Sequence, residues 1–360
     1  MMHKCAKTVA GVGAALGLAG MASAAGVANA AVGAAATPAW HAVSSLYSTR
    51  GAEITAVVAT GKSTGWAFDE AGVAAPAALA RTGATTWKQV AFPGQKGETV
   101  VAAEATSASN VWAFANLANG TSQAVKWNGA KWSVVKTFGA QIGGASVLSA
   151  SDVWVFGNIY YDPRGALGVY HFNGHTWAKV ASTLDGGSAM SDKDVWAFTG
   201  TTVAHFTGRN WTTTNLAKLL PAKRELNDPR LFSIIALSSG SVYAIGSGGT
   251  EDEGGPLVVL HYNGKTWSKV AETTVGDPAQ GQVSYDGDGG LWIPAGSSGS
   301  QYLLHYADGK LTKAALPKNG GASATADTVS RIPGTAQQLA GGYLPAADGS
   351  THYAIILQYS

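Results

Sequence analysis

Three features of the sequence predict an all-β fold built from one repeated unit. The unit is clearest between Ser151 and Val180, where SDVWVFG, a variable stretch and GVYHFNGHTWAKV follow one another. Its relatives recur along nearly the whole chain. The apolar runs are short, β-branched and aromatic, and they are closed by glycine or Asn-Gly, which is strand chemistry bounded by turn chemistry. A long helix finds no room, and the one candidate is a turn or two over Asn215–Leu226, interrupted by Pro221.

In the first half of the unit, Ser151-Asp152 precedes Val153-Trp154-Val155-Phe156 and Gly157 closes it, a tight turn feeding a strand. In the second half, Val169–Phe172 meets Asn173-Gly174 and resumes as Thr176–Val180. Asn-Gly between two such runs predicts a hairpin of type I′, because both residues tolerate the positive φ that this turn needs twice. The small-residue stretch Gly143–Ala150 before the unit makes a further strand. Each unit therefore holds four antiparallel strands.

Residues 1–30 read as an export signal and residues 31–360 as the folded domain. His3, Lys4 and Lys7 give a positive start, Thr8–Met21 is apolar and small, and cleavage sites of Ala-x-Ala type follow at Ala22-Ser23-Ala24 and Ala28-Asn29-Ala30. The apolar stretch is too short and glycine-rich to span a bilayer, and no later one approaches the length required, so no membrane insertion is expected. Cys5 is the only cysteine and leaves with the signal, which removes disulfides, thiolate metal sites and a cysteine nucleophile from consideration. The 24 basic residues less Lys4 and Lys7 leave 22, equal to the 22 acidic ones. A nucleic-acid partner would require a basic excess.

The repeat length defines the architecture. The first aromatic of the unit recurs as Trp66, Trp112, Trp154, Trp196, Tyr243 and Trp292, with Leu339 as a weak seventh, at spacings between 42 and 49 residues. The second recurs as Trp87, Trp132, Trp177, Trp211 and Trp267, with Leu311 as a weak member. That period is the length of a four-stranded propeller blade. Two loose ends complete the count. The last unit stops after Tyr353–Tyr359, where a Trp-x-x-Val strand is due, and Trp40-His41-Ala42-Val43 is such a strand with nothing before it. The N-terminal strand is expected to complete the last blade, closing the ring and removing two open sheet edges. A single seven-bladed β-propeller results; six or eight blades would require one unit to be miscounted.

These repeats resemble bacterial secreted β-propellers with S-x-x-D-V-W strands. Asn128-Gly129-Ala130-Lys131-Trp132, Asn173-Gly174-His175-Thr176-Trp177 and Asn263-Gly264-Lys265-Thr266-Trp267 are similar to a degenerate Asp-box turn of sialidase-type propellers, with Asn or Thr in place of the Asp and no leading Ser. In those families the box is a structural turn remote from the catalytic centre, so the resemblance implies fold and not activity.

The paired tryptophans are therefore expected in the core between blades. His171, His205, His261 and His305 recur before an aromatic in the third strand, with Arg81, Lys126 and Gln358 at the same place in other blades. Equivalent positions spread around a ring and converge only at its axis, which the first strand of each blade lines. The histidines are accordingly expected to bond the Asp or Ser that precedes the first Trp, not a metal. Asp286-Gly287-Asp288 begins like a calcium loop but lacks its remaining acidic ligands and occupies a turn. No metal or cofactor is expected.

Enzyme readings fail on inventory. A G-x-S-x-G elbow is absent, the arginines are few for a carboxylate clamp, and the cysteine needed for copper-radical chemistry is missing. A pair of carboxylates acting on polysaccharide stays open as an alternative, because tertiary structure sets their separation. The turns joining first to second and third to fourth strands are short and alike. The loops joining second to third strands, and blade to blade, vary and open together on the other face. Richest are Asn158–Arg164, Leu219–Arg230 and Gly248–Gly255, flanking a fourth blade whose own loop is minimal. A notch bounded by Tyr160, Tyr161, Asp162, Arg164, Lys223, Arg224, Asp228 and Arg230 is expected there. The sequence thus reads as a secreted, monomeric, non-catalytic binding module for an extracellular glycan or protein; the further alternative is a structural cell-surface component.

Overall fold

The computed structural model of the chain describes residues 37–44, 51–70, 74–157, 167–221, 229–248, 255–273, 282–296 and 301–360. Pro38–Ser360 forms one compact unit. Seven four-stranded antiparallel sheets make up a β-propeller. The inner strands are Glu53–Gly61, Glu98–Ser107, Ile142–Ser149, Gly186–Ser191, Arg230–Ser238, Ser284–Tyr285 and Thr328–Arg331. In blade three the sheet continues outward through Asp152–Gly157, Val169–Phe172 and Trp177–Ala181, and the other blades follow the same order. Among the described residues there is no helix, and the expected helical stretch begins instead as a turn closed by Leu219 N–H on Leu216 O at 2.8 Å.

The ring closes as the two loose ends require. Trp40–Ala42 is the outermost strand of blade seven, with Trp40 opposite Tyr359 and Ala42 opposite Leu357. Trp40 is buried and sits 5.1 Å edge-on to Trp292 of blade six. The N-terminal strand thus both completes its own sheet and fills the groove against the previous blade.

The aromatic series packs blade on blade. Trp66 touches Trp127 and Trp132 of blade two, Trp112 touches Phe172 and Trp177 of blade three, Trp154 touches Phe206, and Trp196 touches Tyr262 and Trp267. Each first-series aromatic is buried, while most of the second series is half-buried on the outermost strand. A buried indole contributes roughly 2–3 kcal/mol by area alone, and the offset and edge-on ring contacts add to this.

Two local expectations need correction. The Asn-Gly hairpins are not two-residue type I′ turns. Phe172 pairs with Trp177, leaving a four-residue loop in which only Gly174 has positive φ, at 92°. Asn173 stays at negative φ because its Oδ1 accepts from the backbone N–H of His175 and Thr176, at 3.0 and 2.9 Å, and Asn128 and Asn263 act alike. The two-residue turn with both φ positive occurs instead at Asp308-Gly309, between the paired Ala307 and Lys310. The second correction is one of register. Arg81 does not share the histidine position: Ala80 faces Trp66, and Arg81 faces Gly65. Arg81 is buried and donates to Gly83 O, Ala84 O and Gln358 Oε1.

Candidate functional site

The histidine series is structural in the manner expected. Asp152 Oδ1 accepts from Trp154 Nε1 at 3.1 Å and His171 Nε2 at 2.9 Å, and the imidazole lies flat on the indole at 4.2 Å. Blade four repeats this with Asp194, Trp196 and His205. In blade five Ser241 Oγ replaces the carboxylate, 3.0 Å from His261 Nε2. In blade two Trp112 donates to Asn110 Oδ1, and Lys126 Nζ stands 4.8 Å over the indole. Asp286 gives Oδ1 to the N–H of Asp288 and Gly290 and Oδ2 to His305, so turn and strand occupy both oxygens of the calcium-like sequence. Among the described residues no group of three or more His, Cys, Asp or Glu is placed to hold a metal ion.

The concave feature lies at the axis. A cavity of about 390 Å³ follows the inner strands of blades two to five and reaches Gln282 and Val283 of blade six. Its volume is within the range of small-ligand sites. The inner strands start on the face where the variable loops gather, and there Asp185, Gly143 and Arg230 border the cavity. Blade four closes its own loop tightly on that side, with Thr199 paired to Thr202, so no long loop of this blade covers the opening.

Four glycines, Gly143, Gly144, Gly186 and Gly187, replace side chains along two adjacent walls. Gly143 is the extra residue of a β-bulge between Ile142 and Gly144 and is exposed. A Cβ on Gly144 would meet nothing within 4 Å, so this part of the wall borders open space. Phe198 and Phe232 are the aromatic members of the lining, and the Arg230 guanidinium lies 5.0 Å over the Phe232 ring.

Deeper in, a row of equivalent inner-strand residues lies opposite the first-series residue of each blade. Ser146 and Ser188 hold this place in blades three and four, and their Oγ atoms accept the N–H of Ala189 and Ala236 in the next blade, at 3.0 and 3.1 Å. Ser330 accepts from Ala59 in the same way at 3.3 Å, so these hydroxyls tie blade to blade around the ring. Blade two carries Glu104 there, opposite Trp112. Its Oε1 accepts from the Gln282 carboxamide of blade six, a bond spanning the axis between non-adjacent blades. Burial pushes the Glu104 carboxyl up to about 7, against the pull of the Gln282 hydrogen bond.

No family model matches the chain, and no curated protein matches it. Solved structures do. A structure described as YCF48 bound to D1 peptide is 14% identical, with 91% of this chain and 98% of that one covered and a TM-score of 0.56. The WD40 β-propeller domain of Doa1 is 10% identical over 89% of this chain and 97% of that one, with a TM-score of 0.57. Saccharomyces cerevisiae Sqt1 is 10% identical over 88% and 98%, with a TM-score of 0.52. The likeness is one of fold.

Of the expected notch residues, Arg230 opens the inner strand of blade five and borders the cavity. Tyr160, Tyr161, Asp162, Arg164, Lys223, Arg224 and Asp228 lie outside the described residues. Glu104 and Gln282 were not anticipated. Aligning the units on their first aromatic places Glu104 in a row that holds Val58, Ser146, Ser188, Ile235 and Ser284 in the other blades led by an aromatic.

Proposed function

We propose that the chain is a non-catalytic binding module, acting as a monomer, whose ligand is anchored at the loop-face mouth of the axial cavity. The observation that carries this reading is the cavity itself: about 390 Å³, walled by four glycines, and bordered by Asp185 and Arg230 at its mouth. The pattern of residues 1–30 supports export, so the ligand is extracellular. N-terminal sequencing of the exported protein tests this: cleavage after Ala24 or Ala30 is expected, and retention of Met1 on the exported protein contradicts it.

Between the two ligand classes, a protein segment is favoured over a glycan. Sugar rings are gripped by open aromatic faces. The first-series indoles are buried between blades, and the Phe232 face at the cavity is covered by Arg230. One propeller of this fold, YCF48, is described bound to a peptide. Polysaccharide cleavage by loop-face carboxylates and a purely structural surface role are the competing readings.

The test is binding of the full chain to parallel peptide and glycan arrays, with the Gly144→Leu variant alongside and product analysis of every bound glycan. A Cβ at 144 meets no atom within 4 Å, so a Leu there takes up part of the cavity that Gly144 lines. Peptide binding that is lost in Gly144→Leu is the expected result. Glycan binding lost in a Tyr160→Ala, Tyr161→Ala double variant transfers the site to the loop notch, and turnover of a bound glycan replaces the binding reading with an enzymatic one.

A further inference from the structure

The chemical class of the anchored group follows from the polar atoms in the cavity wall. Glu104 is the one residue of its row that carries a charge, since the equivalent positions in the other blades hold Val58, Ser146, Ser188, Ile235, Ser284 and Ser330. Its two oxygens are used unequally. Oε1 accepts from Gln282, whereas Oε2 has no hydrogen-bond partner among the described residues. The Ser146 and Ser188 hydroxyls on the neighbouring walls already bond the backbone of the next blade. The other charged groups of the lining are Asp185 from the approach to blade four and Arg230 from blade five. With Glu104 ionised the described lining carries two acids against one base.

We propose that the cavity receives a single cationic group, the guanidinium or ammonium of a peptide side chain, with the Glu104 carboxylate as its counter-charge. This rests on the reading of the cavity as the binding site. A carboxylate withdrawn from water is costly until it is paired, so a cation that reaches Oε2 recovers interaction that a neutral or anionic group does not. Gln282 holds the carboxylate through Oε1 and leaves Oε2 for the incoming donor. Burial keeps part of the Glu104 population protonated near neutrality, so binding displaces a proton and strengthens as the pH rises. Asp185 and Arg230 face the same space and set the background charge against which Glu104 titrates.

The test compares N-acetyl-arginine amide with N-acetyl-citrulline amide, which differ by the charge and one atom, by calorimetry on the full chain and on Glu104→Gln, Glu104→Ser and Gly144→Leu variants. The wild-type chain is expected to bind the arginine probe at least ten-fold more tightly than citrulline at pH 8, with a smaller ratio at pH 5.5. Glu104→Gln, which can still receive the Gln282 hydrogen bond, is expected to bind both probes equally at both pH values. Glu104→Ser adopts the residue of blades three and four, and gives the same reading should the Gln variant not fold. Equal affinities in the wild type, a preference that survives in both Glu104 variants, or no binding of either probe overturns the proposal. If both probes bind equally and both are lost in Gly144→Leu, the cation is wrong and the cavity stands. An arginine preference that persists in Gly144→Leu places the site elsewhere and removes the cavity reading as well.

Discussion

His205 lies flat on Trp196, ring centres 3.8 Å apart and planes inclined by 10°, and both rings bond one oxygen of Asp194. The carboxylate therefore fixes two aromatic groups at once: the indole that packs against Tyr262 and Trp267 of the next blade, and the imidazole of its own third strand. Removing it leaves two donors without an acceptor. Asp194→Ala is expected to destabilise the propeller by roughly 2 kcal/mol, and His205→Ala by less, because the indole keeps its bond in the second case. A double-mutant cycle followed by urea unfolding should give a coupling of about 1 kcal/mol between the two; additive effects would mean that the stack and the bond are independent.

Ring closure rests on a short strand. Trp40 belongs to a three-residue element, yet its indole is buried against Trp292 and Tyr359. Trp40→Ala is expected to cost about 3–5 kcal/mol, the range for deleting a large aromatic from a core. Urea unfolding measures it, and a loss below about 1 kcal/mol would show that blade seven holds the ring without its outermost strand.

The blades were legible in the sequence because each repeats one register. Trp154 and Trp196 are fixed relative to the Asp two residues before them and to a histidine opposite, so periodicity in one dimension reports periodicity in three. The closure of the ring could be read from an unpaired strand at each end. Arg81 was misplaced because Ala80, the residue that faces Trp66, carries no chemistry that marks its position. Asn173 misled for a related reason: its side chain, not its backbone, makes the turn. The site was the least legible part. In ETVVAAEATS a Glu looks like the solvent side of a strand, and its partner Gln282 precedes an inner strand only two residues long. Their meeting across the axis is a property of the closed ring, not of either segment.

Buried carboxyls make stability fall with rising pH. Glu104 is held at about 7 by burial, and Asp327 at about 7 by burial and by the charge of Glu53. Both folded values exceed the unfolded ones of 4.5 and 3.8, so the folded state holds protons that the unfolded state releases. The stability they contribute is complete below those unfolded values and is lost as the pH passes through about 7, at up to roughly 3 kcal/mol for Glu104 and roughly 4 kcal/mol for Asp327. Glu53, Asp69 and Glu98 are raised by burial too and act in the same direction, while His261 is lowered by burial and opposes them at acid pH. Comparing Glu104→Gln with the wild type isolates one contribution: the variant's unfolding free energy should decline less between pH 4.5 and 7. Parallel curves would contradict this.

Two glycines of the cavity wall separate space from packing. A Cβ on Gly187 would fall onto the ring of Phe156, which is fully buried, whereas one on Gly144 meets nothing. Gly187→Ala is expected to destabilise by about 1–3 kcal/mol through overpacking. Gly144→Leu should shift the unfolding midpoint little while narrowing the cavity. Thermal unfolding of both variants checks the pair, and a Gly144→Leu loss as large as that of Gly187→Ala would mean that the wall does not face open space.

The most direct test of the axial site is amide hydrogen exchange of the full chain with and without the peptide that binds best on the array. Binding in the cavity predicts slower exchange along the inner strands of blades two to five, over residues 101–104, 142–148, 186–189 and 231–235. Protection confined to the outermost strands, with those inner segments unchanged, would contradict it.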